Sequence, residues 1–353
     1  MTTLNQFIVG ATLGDAITDE ALLLQRWVRG LGYASEIFAL YIDPAIQHLI
    51  RPFTTWHPRA DETRAIYHHS IGSPVAERLI AASLDLILIY HNVTPPEFFE
   101  TTDPALSREM IEGRAQLRAL RAQTILALAD SPFNEQDLIA EKFRATGILP
   151  IALDEARVNL PVNPALIARE RDAGPSLLFV GRQVPNKKQE DLVKLLYFFR
   201  RIEPRARLYL VGDAWMPAYA HWLKDFARDL ACDDAIIFAG KTAQPDLVTY
   251  YRIASVYVSM SEHEGFGKPL IESMYLGLPV LAYAAASVPG TLGDAGILFQ
   301  RKDFEALAEI VNVLVCDQAL RARIIARQRA RVQEFLEPQV RAKWQTFLRD
   351  LDA

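Results

Sequence analysis

The stretch that decides the fold of this chain is S-E-H-E-G-F-G-K-P-L-I-E, from Ser261 to Glu272. It follows an apolar run of high β propensity, Ala254–Met260. It also contains two glycines and then a Lys-Pro pair. This order predicts a strand, a tight turn and a helix that begins near Lys268, because proline fits the first turn of a helix, where its missing N–H costs nothing. The stretch therefore indicates a βα unit of an α/β protein.

The turn has the chemistry of an anion site with a carboxylate on either side. Gly265 and Gly267 allow a sharp turn whose amide N–H groups lie at a helix N-terminus, which suits a phosphate. Glu264 in the loop and Glu272, two turns into the helix, are carboxylates that accept hydrogen bonds from hydroxyl groups. The pattern fits a ligand that carries a phosphate together with hydroxyls, as on a sugar and a ribose.

A second stretch, L-L-F-V-G-R-Q-V-P-N-K-K at Leu177–Lys188, reads as a buried strand that runs into a loop with cations. Arg182 offers a planar fork for phosphate oxygens, and Lys187 offers a compact charge. Two solvated loop cations would be ordinary by themselves. Taken alone, the pair fits either solvated loop cations or contacts to a phosphate.

Together the two stretches resemble the signature of retaining glycosyltransferases of family 4. The resemblance implies the α/β GT-B fold, in which two Rossmann-like parallel-sheet domains face a central cleft and a nucleotide-diphosphate sugar is the donor. It implies that Glu264 lies against the transferred sugar and Glu272 against the ribose. Arg182 and Lys187 would clamp the diphosphate and stabilise it as it leaves. The implied donor-binding residues also include Gly265, Phe266, Gly267 and Lys268.

Length and composition limit the classes of protein that fit. A chain of 353 residues suits two domains, and its 50% hydrophobic content supports sizeable cores. The net charge of −5 argues against general nucleic-acid binding. Cys232 and Cys316 show no metal-type spacing or disulfide framework, as in a reduced cytosolic protein. We expect no signal peptide and no membrane span, and a cytoplasmic protein that can lie peripherally at the inner face of the membrane.

Short β-rich runs alternate with longer helical ones, which is typical of parallel sheets covered by helices. The run V-N-L-P-V-N-P, Val158–Pro164, breaks the pattern and predicts an interdomain linker. The predicted domains are residues 1–160 on the acceptor side and 161–336 on the donor side, with a helical tail, 337–353, that crosses back to the first. The predicted strands are Phe7–Ala11, Ser35–Tyr41, Ala65–His68, Leu84–His91, Thr124–Ala129, Ile148–Ala152, Leu177–Val180, Arg207–Val211, Ala235–Phe238, Ser255–Ser259, Pro279–Ala282 and Ile297–Phe299.

The first predicted strand ends in a glycine loop. The spacing Gly10-x-x-x-Gly14 matches neither the dinucleotide fingerprint nor a phosphate-binding loop, which disfavours dehydrogenases and nucleotide triphosphatases. The resemblance implies that Gly14 closes over the donor phosphates and that Asp15 lies on the acceptor side. An ordinary helix N-cap is the alternative for Asp15.

Histidines stand at the ends of two predicted strands, where α/β proteins bind ligands. By resemblance, His91 is a catalytic residue that contacts the transferred sugar from the first domain. His69 is a candidate for the acceptor side. For both, the alternative is a hydrogen-bonded structural histidine. Ser131 and Asn134, after a further strand, are candidates to line the cleft, with a helix cap at Ser131 as the favoured alternative.

Arg114, Arg118 and Arg121 share one face of a predicted helix. The stripe fits either a solvated face or contact with anionic lipid, and the basic run Arg321–Arg331 has the same two readings. Contact with lipid matters here because the acceptors of the resembled family are often lipid-linked glycans.

The function that the resemblance implies is transfer of a hexose, of mannose or glucose type, to a glycan or lipid-linked acceptor with retention of configuration. Bacterial surface polysaccharide assembly is the implied setting, with GDP-mannose the first donor and uridine donors next. We expect no cofactor and no metal, because the Asp-x-Asp motif occurs only in the terminal tail, Asp350–Asp352. Gly290 departs from the family, which usually has an acidic residue there. The alternatives are an epimerase or phosphorylase of the same fold, or a catalytically silent nucleotide-sugar-binding subunit.

Overall fold

A computed structural model describes residues 2–59, 62–82 and 84–352 of the chain. The chain divides into two compact units, the first made of Met1–Ala152 and Pro338–Ala353 and the second of Leu153–Glu337. Each unit is a parallel sheet covered by helices. The predicted α/β class with two Rossmann-like domains is confirmed.

The first unit contains a seven-stranded sheet in the order β3-β2-β1-β4-β5-β6-β7. Its strands are β1 (Leu4–Ala11), β2 (Ile37–Ile42), β3 (Arg51–Pro52), β4 (Arg64–His69), β5 (Asp85–Tyr90), β6 (Thr124–Ala129) and β7 (Thr146–Ile148). Its first helices are α1 (Ala16–Gly30), α2 (Pro74–Ala82), α3 (Pro104–Leu120) and α4 (Pro132–Ala140). Two details of the prediction were wrong. The short edge strand β3, which contains a proline, was missed, and β7 lies earlier than the predicted Ile148–Ala152 because its pairing with β6 ends at Ile148.

The second unit contains a six-stranded sheet in the order β10-β9-β8-β11-β12-β13. Its strands are β8 (Ser176–Val180), β9 (Arg207–Val211), β10 (Ile236–Gly240), β11 (Val256–Ser259), β12 (Val280–Tyr283) and β13 (Ile297–Phe299). Its helices are α5 (Glu155–Val158), α6 (Pro164–Glu170), α7 (Gln189–Ile202), α8 (Pro217–Asp229), α9 (Gln244–Ile253), α10 (Lys268–Leu276), α11 (Val288–Leu292), α12 (Phe304–Cys316) and α13 (Gln318–Arg331). All strand pairs are parallel, so the carboxyl ends of the strands share one edge of the sheet.

The segment predicted as a linker belongs to the second unit. Asn159 Nδ2 donates a hydrogen bond of 2.8 Å to the Tyr275 hydroxyl. Asn163 Nδ2 donates one of 2.7 Å to Asp246 Oδ1. Since these bonds tie the segment to the second unit, the division falls between Ala152 and Leu153, earlier than the predicted boundary after residue 160.

The tail helix, α14 (Glu337–Asp352), packs into the core of the first unit. Val340, Trp344 and Leu348 are buried among Trp27 and other apolar residues of that unit. Phe347 lies so close to Gly147 that a Cβ at position 147 would be 2.6 Å from its ring. The tail is therefore part of the first unit's structure.

Each sheet reverses its strand order beside its first strand. In the first sheet β1 lies between β2 and β4, and in the second β8 lies between β9 and β11. In α/β proteins the loops at such a reversal leave on opposite faces and open a crevice at the carboxyl ends, where ligands bind. Arg182 and Lys187 follow β8, and Glu264 follows β11, so the predicted donor residues flank the reversal in the second sheet.

No helix among the described residues has the length and apolar character needed to cross a bilayer. The two cysteines are free thiols, with Cys232 buried and Cys316 exposed. Free thiols agree with the absence of a disulfide pattern in the sequence.

Truncating the buried tail residue should destabilise the first unit. We expect Trp344→Ala to lower the free energy of unfolding by about 3–5 kcal/mol, because it removes a fully buried aromatic side chain from the core. Lys343→Ala, on the exposed face of the same helix, should change it by less than about 0.5 kcal/mol. Urea unfolding followed by circular dichroism measures both. Equal stability of the two variants would show that the tail is not part of the core.

Candidate active site

The turn between β11 and α10 has the predicted geometry. Lys268 is the first residue of α10, with Pro269 in the first turn. Gly267 caps the helix at φ 88°, a left-handed conformation that favours glycine. A Cβ at this position would also lie 2.8 Å from the Leu270 side chain. The predicted strand, glycine turn and helix are confirmed.

Two hydroxyls of the neighbouring segment orient this turn. Ser287 Oγ donates to the Glu264 carbonyl at 2.8 Å, and Thr291 Oγ1 donates to the Phe266 carbonyl at 2.7 Å. Because a trans peptide holds its N–H opposite its C=O, the amides of Gly265 and Gly267 point away from these hydroxyls. Sequence analysis noted the segment around Gly290 but did not single out its Ser287 and Thr291, whose hydroxyls bond backbone atoms.

Lys187 and Glu264 form an ion pair at the strand reversal. Lys187 Nζ lies 2.5 Å from Glu264 Oε2, and the two side chains are 19% and 15% exposed. The ammonium also lies 3.5 Å from the His263 carbonyl oxygen. The structure thus brings together two residues that are far apart in sequence and predicted to serve one site.

Arg182 and Glu272 have different surroundings from this pair. Arg182 is exposed, and its guanidinium carbon Cζ lies over the Trp215 ring, 5.1 Å from the ring centroid. Glu272 is nearly buried, and its Oε2 accepts a hydrogen bond of 2.7 Å from the Tyr251 hydroxyl. Burial, and then the charge of Glu272, raise the pKa of Tyr251 well above its ordinary value, so this hydroxyl keeps its proton.

In the first unit, Gly14 and Asp15 form the entry to α1. Gly14 has φ 86°, which favours glycine, and Asp15 is the N-cap. Its Oδ2 accepts from the Thr18 backbone N–H at 3.2 Å. The structure therefore shows the capping alternative for Asp15, and its acceptor-side role stays a prediction.

The structure favours the structural alternative for His69, and its acceptor-side role stays a prediction. The side chain is fully buried, Nε2 lies 2.9 Å from the Gly113 carbonyl oxygen, and Nδ1 lies 3.3 Å from the Tyr67 hydroxyl. Burial lowers the pKa of His69 to about 4, despite the bond to Gly113. With both ring nitrogens bonded inside the unit, His69 has a structural role.

His91 is part of a buried hydrogen-bond chain whose proton positions can be deduced. Gln6 Nε2 donates to the Ala21 carbonyl at 2.9 Å, so Gln6 Oε1 accepts from His68 Nε2 at 3.0 Å. His68 Nδ1 must then accept, across 3.0 Å, from His91 Nε2. His91 Nδ1 lies 3.0 Å from Asp130 Oδ2 and donates to that carboxylate. With Asp130 ionised, both ring nitrogens of His91 carry protons, and the ring is an imidazolium.

The charges around His91 agree with this deduction. Burial opposes a charge on the ring, but the carboxylate of Asp130, with weaker help from Glu20 and Asp15, raises the pKa of His91 to about 9. Burial and the positive charge of His91 lower the pKa of His68 well below its ordinary value. The predicted contact of His91 with a sugar stays a prediction, since both ring nitrogens are bonded within the first unit. The partner His68 was missed although it stands directly before His69 in the sequence.

The same cluster contains the ligand types of a metal site. Glu20, His68 and His91 offer atoms that all lie within 4.8 Å of one another, a set that Zn²⁺ accepts. The two rings are parallel to within 5° and already share a proton. A metal ion would have to displace that proton, so we interpret the cluster as a hydrogen-bond chain.

The basic segments that suggested a membrane face bond to the protein itself. Arg114 donates to the Val93 carbonyl at 2.8 Å, and Arg118 bonds the Glu141 carboxylate at 3.0 Å. Arg121 donates to the Glu141 carbonyl at 3.1 Å. In the second run, the ends are also bonded, Arg321 to the Ser255 carbonyl and Arg331 to that of Gly290. These bonds favour the structural reading of both segments.

Comparison with known proteins gives a family match for part of the second unit and a fold match for the whole chain. Residues 168–331 match the family of glycosyl transferases group 1. A segment of 162 residues, 45% of this chain, is 28% identical to the O-antigen chain mannosyltransferase B of Escherichia coli and covers 41% of it. A longer match of 291 residues, 80% of this chain, is 23% identical to the N-acetyl-alpha-D-glucosaminyl L-malate synthase of Bacillus anthracis and covers 72% of it. The crystal structure of Anabaena HepE in complex with UDP-glucose aligns over 99% of both chains, with a TM-score of 0.78 and 18% identity.

These matches support different statements. The structural similarity shows the fold, two Rossmann-like domains as in GT-B glycosyltransferases. The family match lies within the second unit and includes both stretches that carry the resemblance, and with the curated relatives it supports a glycosyltransferase. The matched segments span only 37% to 41% of several of those relatives. Substrates and reaction are therefore matters of proposal.

The charged histidine should respond to loss of its partner. Asp130→Asn removes the carboxylate that offsets the effect of burial on His91. We therefore expect the pKa of His91 to fall from about 9 to below its ordinary value of about 6.5. Ring-nitrogen NMR titration measures it, with His91→Gln to assign the signal and the exposed Asp85→Asn as control. Because the pKa of His91 is raised on folding, its contribution to the free energy of unfolding is complete below pH ~6.5 and is lost as the pH rises through about 9. An unchanged pKa in Asp130→Asn would contradict the deduced ion pair.

Proposed function

We propose that this chain is a retaining, metal-independent glycosyltransferase that moves a hexose from a nucleotide-diphosphate sugar to a hydroxyl of a glycan or lipid-linked acceptor. The observation that carries the proposal is the contact of 2.5 Å between Lys187 and Glu264 at the strand reversal of the second sheet. A cation that suits phosphate and a carboxylate that suits sugar hydroxyls lie side by side there, as the two halves of a sugar phosphate require.

The surrounding groups supply further phosphate contacts. The oriented amides of Gly265 and Gly267 lie at the N-terminus of α10, where the helix dipole favours an anion. Arg182 adds a planar fork that can bind two phosphate oxygens at once. Glu272 lies within α10. Its carboxylate would accept hydrogen bonds from the ribose hydroxyls in addition to the one from the Tyr251 hydroxyl.

The proposed reaction is a front-side displacement. The bond between the anomeric carbon and the diphosphate oxygen breaks, and its electron pair stays on the diphosphate. The acceptor oxygen forms its bond to that carbon from the same face, and its proton passes to the leaving diphosphate. Arg182 and Lys187 stabilise the negative charge that grows on the leaving group, which is the charge that a metal ion would otherwise neutralise. Glu264 would hold the sugar and not attack it.

The matched proteins suggest which sugar and base the donor carries and in which biosynthetic process it is used. The mannosyltransferase relative supports a hexose of mannose type and a role in surface polysaccharide assembly. The fold neighbour that was solved with UDP-glucose supports a glucose-type donor. Guanosine and uridine diphosphates are the first ligands to compare, since another matched mannosyltransferase is named as GDP-mannose-dependent.

Nucleotide binding should depend on Arg182. We expect one nucleoside diphosphate of a panel, in EDTA, to stabilise the wild type, by roughly 2.7 kcal/mol at a hundred times its dissociation constant. Arg182→Ala should lose most of this effect, whereas Arg201→Ala should keep it, since Arg201 stacks on Tyr197 at the far end of α7. Thermal unfolding measures the shifts. Stabilisation by none of the nucleotides would contradict the donor site, and binding without transfer or donor hydrolysis would favour a silent binding subunit.

Glu264 should affect transfer more than folding. Glu264→Gln keeps the shape but loses the charged acceptor of the sugar hydroxyl, and we expect kcat to fall about ten- to hundredfold. Glu262→Gln is the matched control, because Glu262 pairs with Lys188 and Lys302 instead. Product NMR reports the anomeric configuration, which should equal that of the donor. Full activity of Glu264→Gln, or an inverted product, would refute this part of the proposal.

A further inference from the structure

Arg182 has an unusual partner for a residue that is meant to bind an anion. Its guanidinium carbon lies 5.1 Å from the centroid of the Trp215 ring. It donates no side-chain hydrogen bond to any other residue in the described part of the chain. Trp215 is itself 42% exposed, so the stack lies at the surface. The N–H donors of Arg182 are thus available to a ligand while the group is held by a ring.

The two loops that carry this stack are fixed to one another. The Gly181 N–H donates to the Val211 carbonyl, and the Gln183 N–H donates to the Asp213 carbonyl, each at 2.9 Å. Gly212 lies between them at φ 146°, where a Cβ would be 2.0 Å from the Gly181 carbonyl oxygen. The backbone at Gly212 packs directly against the backbone at Gly181. The positions of residues 182 and 215 are therefore fixed by contacts that continue the pairing of β8 with β9.

Stacking on a ring leaves an arginine ready to bind phosphate. A cation over an aromatic face is attracted by the ring, and the five N–H donors of a guanidinium point outward in its own plane. A side chain held in this way loses less conformational freedom when it binds, so the bound state is favoured. A free arginine on an exposed loop has to lose that freedom during binding.

We infer that Trp215 is a positioning residue for Arg182: its ring holds the guanidinium so that the fork faces a phosphate of the donor. The inference rests on the proposed function, because that function identifies the anion as the diphosphate of a nucleotide. Trp215 acts through Arg182 and makes no base contact of its own. It therefore determines affinity for the diphosphate and not the choice of base.

The test is a double-mutant cycle on ligand binding. The variants are Trp215→Leu, Arg182→Ala and the two combined, with Trp222→Leu as the matched control, since Trp222 is a second tryptophan of this unit, 46% exposed, that stacks on Phe226. Calorimetry gives the dissociation constant of the nucleoside diphosphate that stabilises the wild type, and of its nucleoside without phosphate. We expect Trp215→Leu to weaken diphosphate binding on the order of tenfold, with partial recovery in Trp215→Phe. Nucleoside binding should be unchanged, and so should both constants in Trp222→Leu.

The outcomes separate this inference from the proposed function. With Arg182 already replaced by alanine, adding Trp215→Leu should weaken binding no further. An equal loss in that background, or weaker nucleoside binding, would mean that Trp215 contacts the ligand directly and would overturn the inference. Unchanged binding by Trp215→Leu would also overturn it, while the loss in Arg182→Ala would leave the proposed function intact. If the wild type binds no nucleoside diphosphate, the proposed function fails, and the inference fails with it.

Discussion

The reversal of strand order beside β8 is the constraint on which the candidate site depends. Parallel strands end at one edge of the sheet, and at the reversal two neighbouring loops turn away to opposite faces. The loop after β8 carries Arg182 and Lys187, and the loop after β11 carries Glu264. Hydrogen bonding between β8 and β11 sets the separation of these loops before any side chain is considered. Lys187 and Glu264 lie far apart in sequence, so they can form their ion pair only because the pairing of β8 with β11 brings their loops together.

The His91–Asp130 pair of the first unit and the cations of the second differ in how far their charges are exposed. In the first, His91 and Asp130 are buried, and every bond that can be assigned to the imidazolium goes to the protein. Removing one partner of such a pair leaves a buried charge without compensation, which is strongly unfavourable. In the second unit, Arg182 is exposed, and the pair of Lys187 and Glu264 is reached by solvent. Charges of this kind can exchange a protein partner for a ligand at small cost. The second unit therefore has the electrostatics of a binding site, and the network around His91 has those of a structural element.

Local patterns in the sequence predicted what depends on local chemistry. The start of α10 at Lys268 could be predicted because Gly267 and Pro269 each allow few backbone conformations. The roles of histidines could not be predicted in this way. His69 and His91 both stand at strand ends, as ligand-binding residues do, but their ring nitrogens are taken by groups such as Gly113 that are distant in sequence. Trp215 was missed for a related reason. A single aromatic residue in a loop shows no periodicity, and its role becomes visible only from its contact with Arg182.

The ion pair at the reversal gives a physical reason why recognition of phosphate and of sugar would be coupled. In the free chain Glu264 holds Lys187 at 2.5 Å, so neither group is fully available to a ligand. The two phosphate groups of a diphosphate would compete with Glu264 for the Lys187 ammonium. As the ammonium moves toward the phosphates, its attraction to Glu264 weakens. The carboxylate that is released needs a new hydrogen-bond donor, and a sugar hydroxyl next to the diphosphate supplies one. A nucleoside diphosphate alone would break the pair without offering that hydroxyl. Under the proposed function, a complete sugar nucleotide would satisfy both partners, which would favour the donor over the nucleoside diphosphate that remains after transfer.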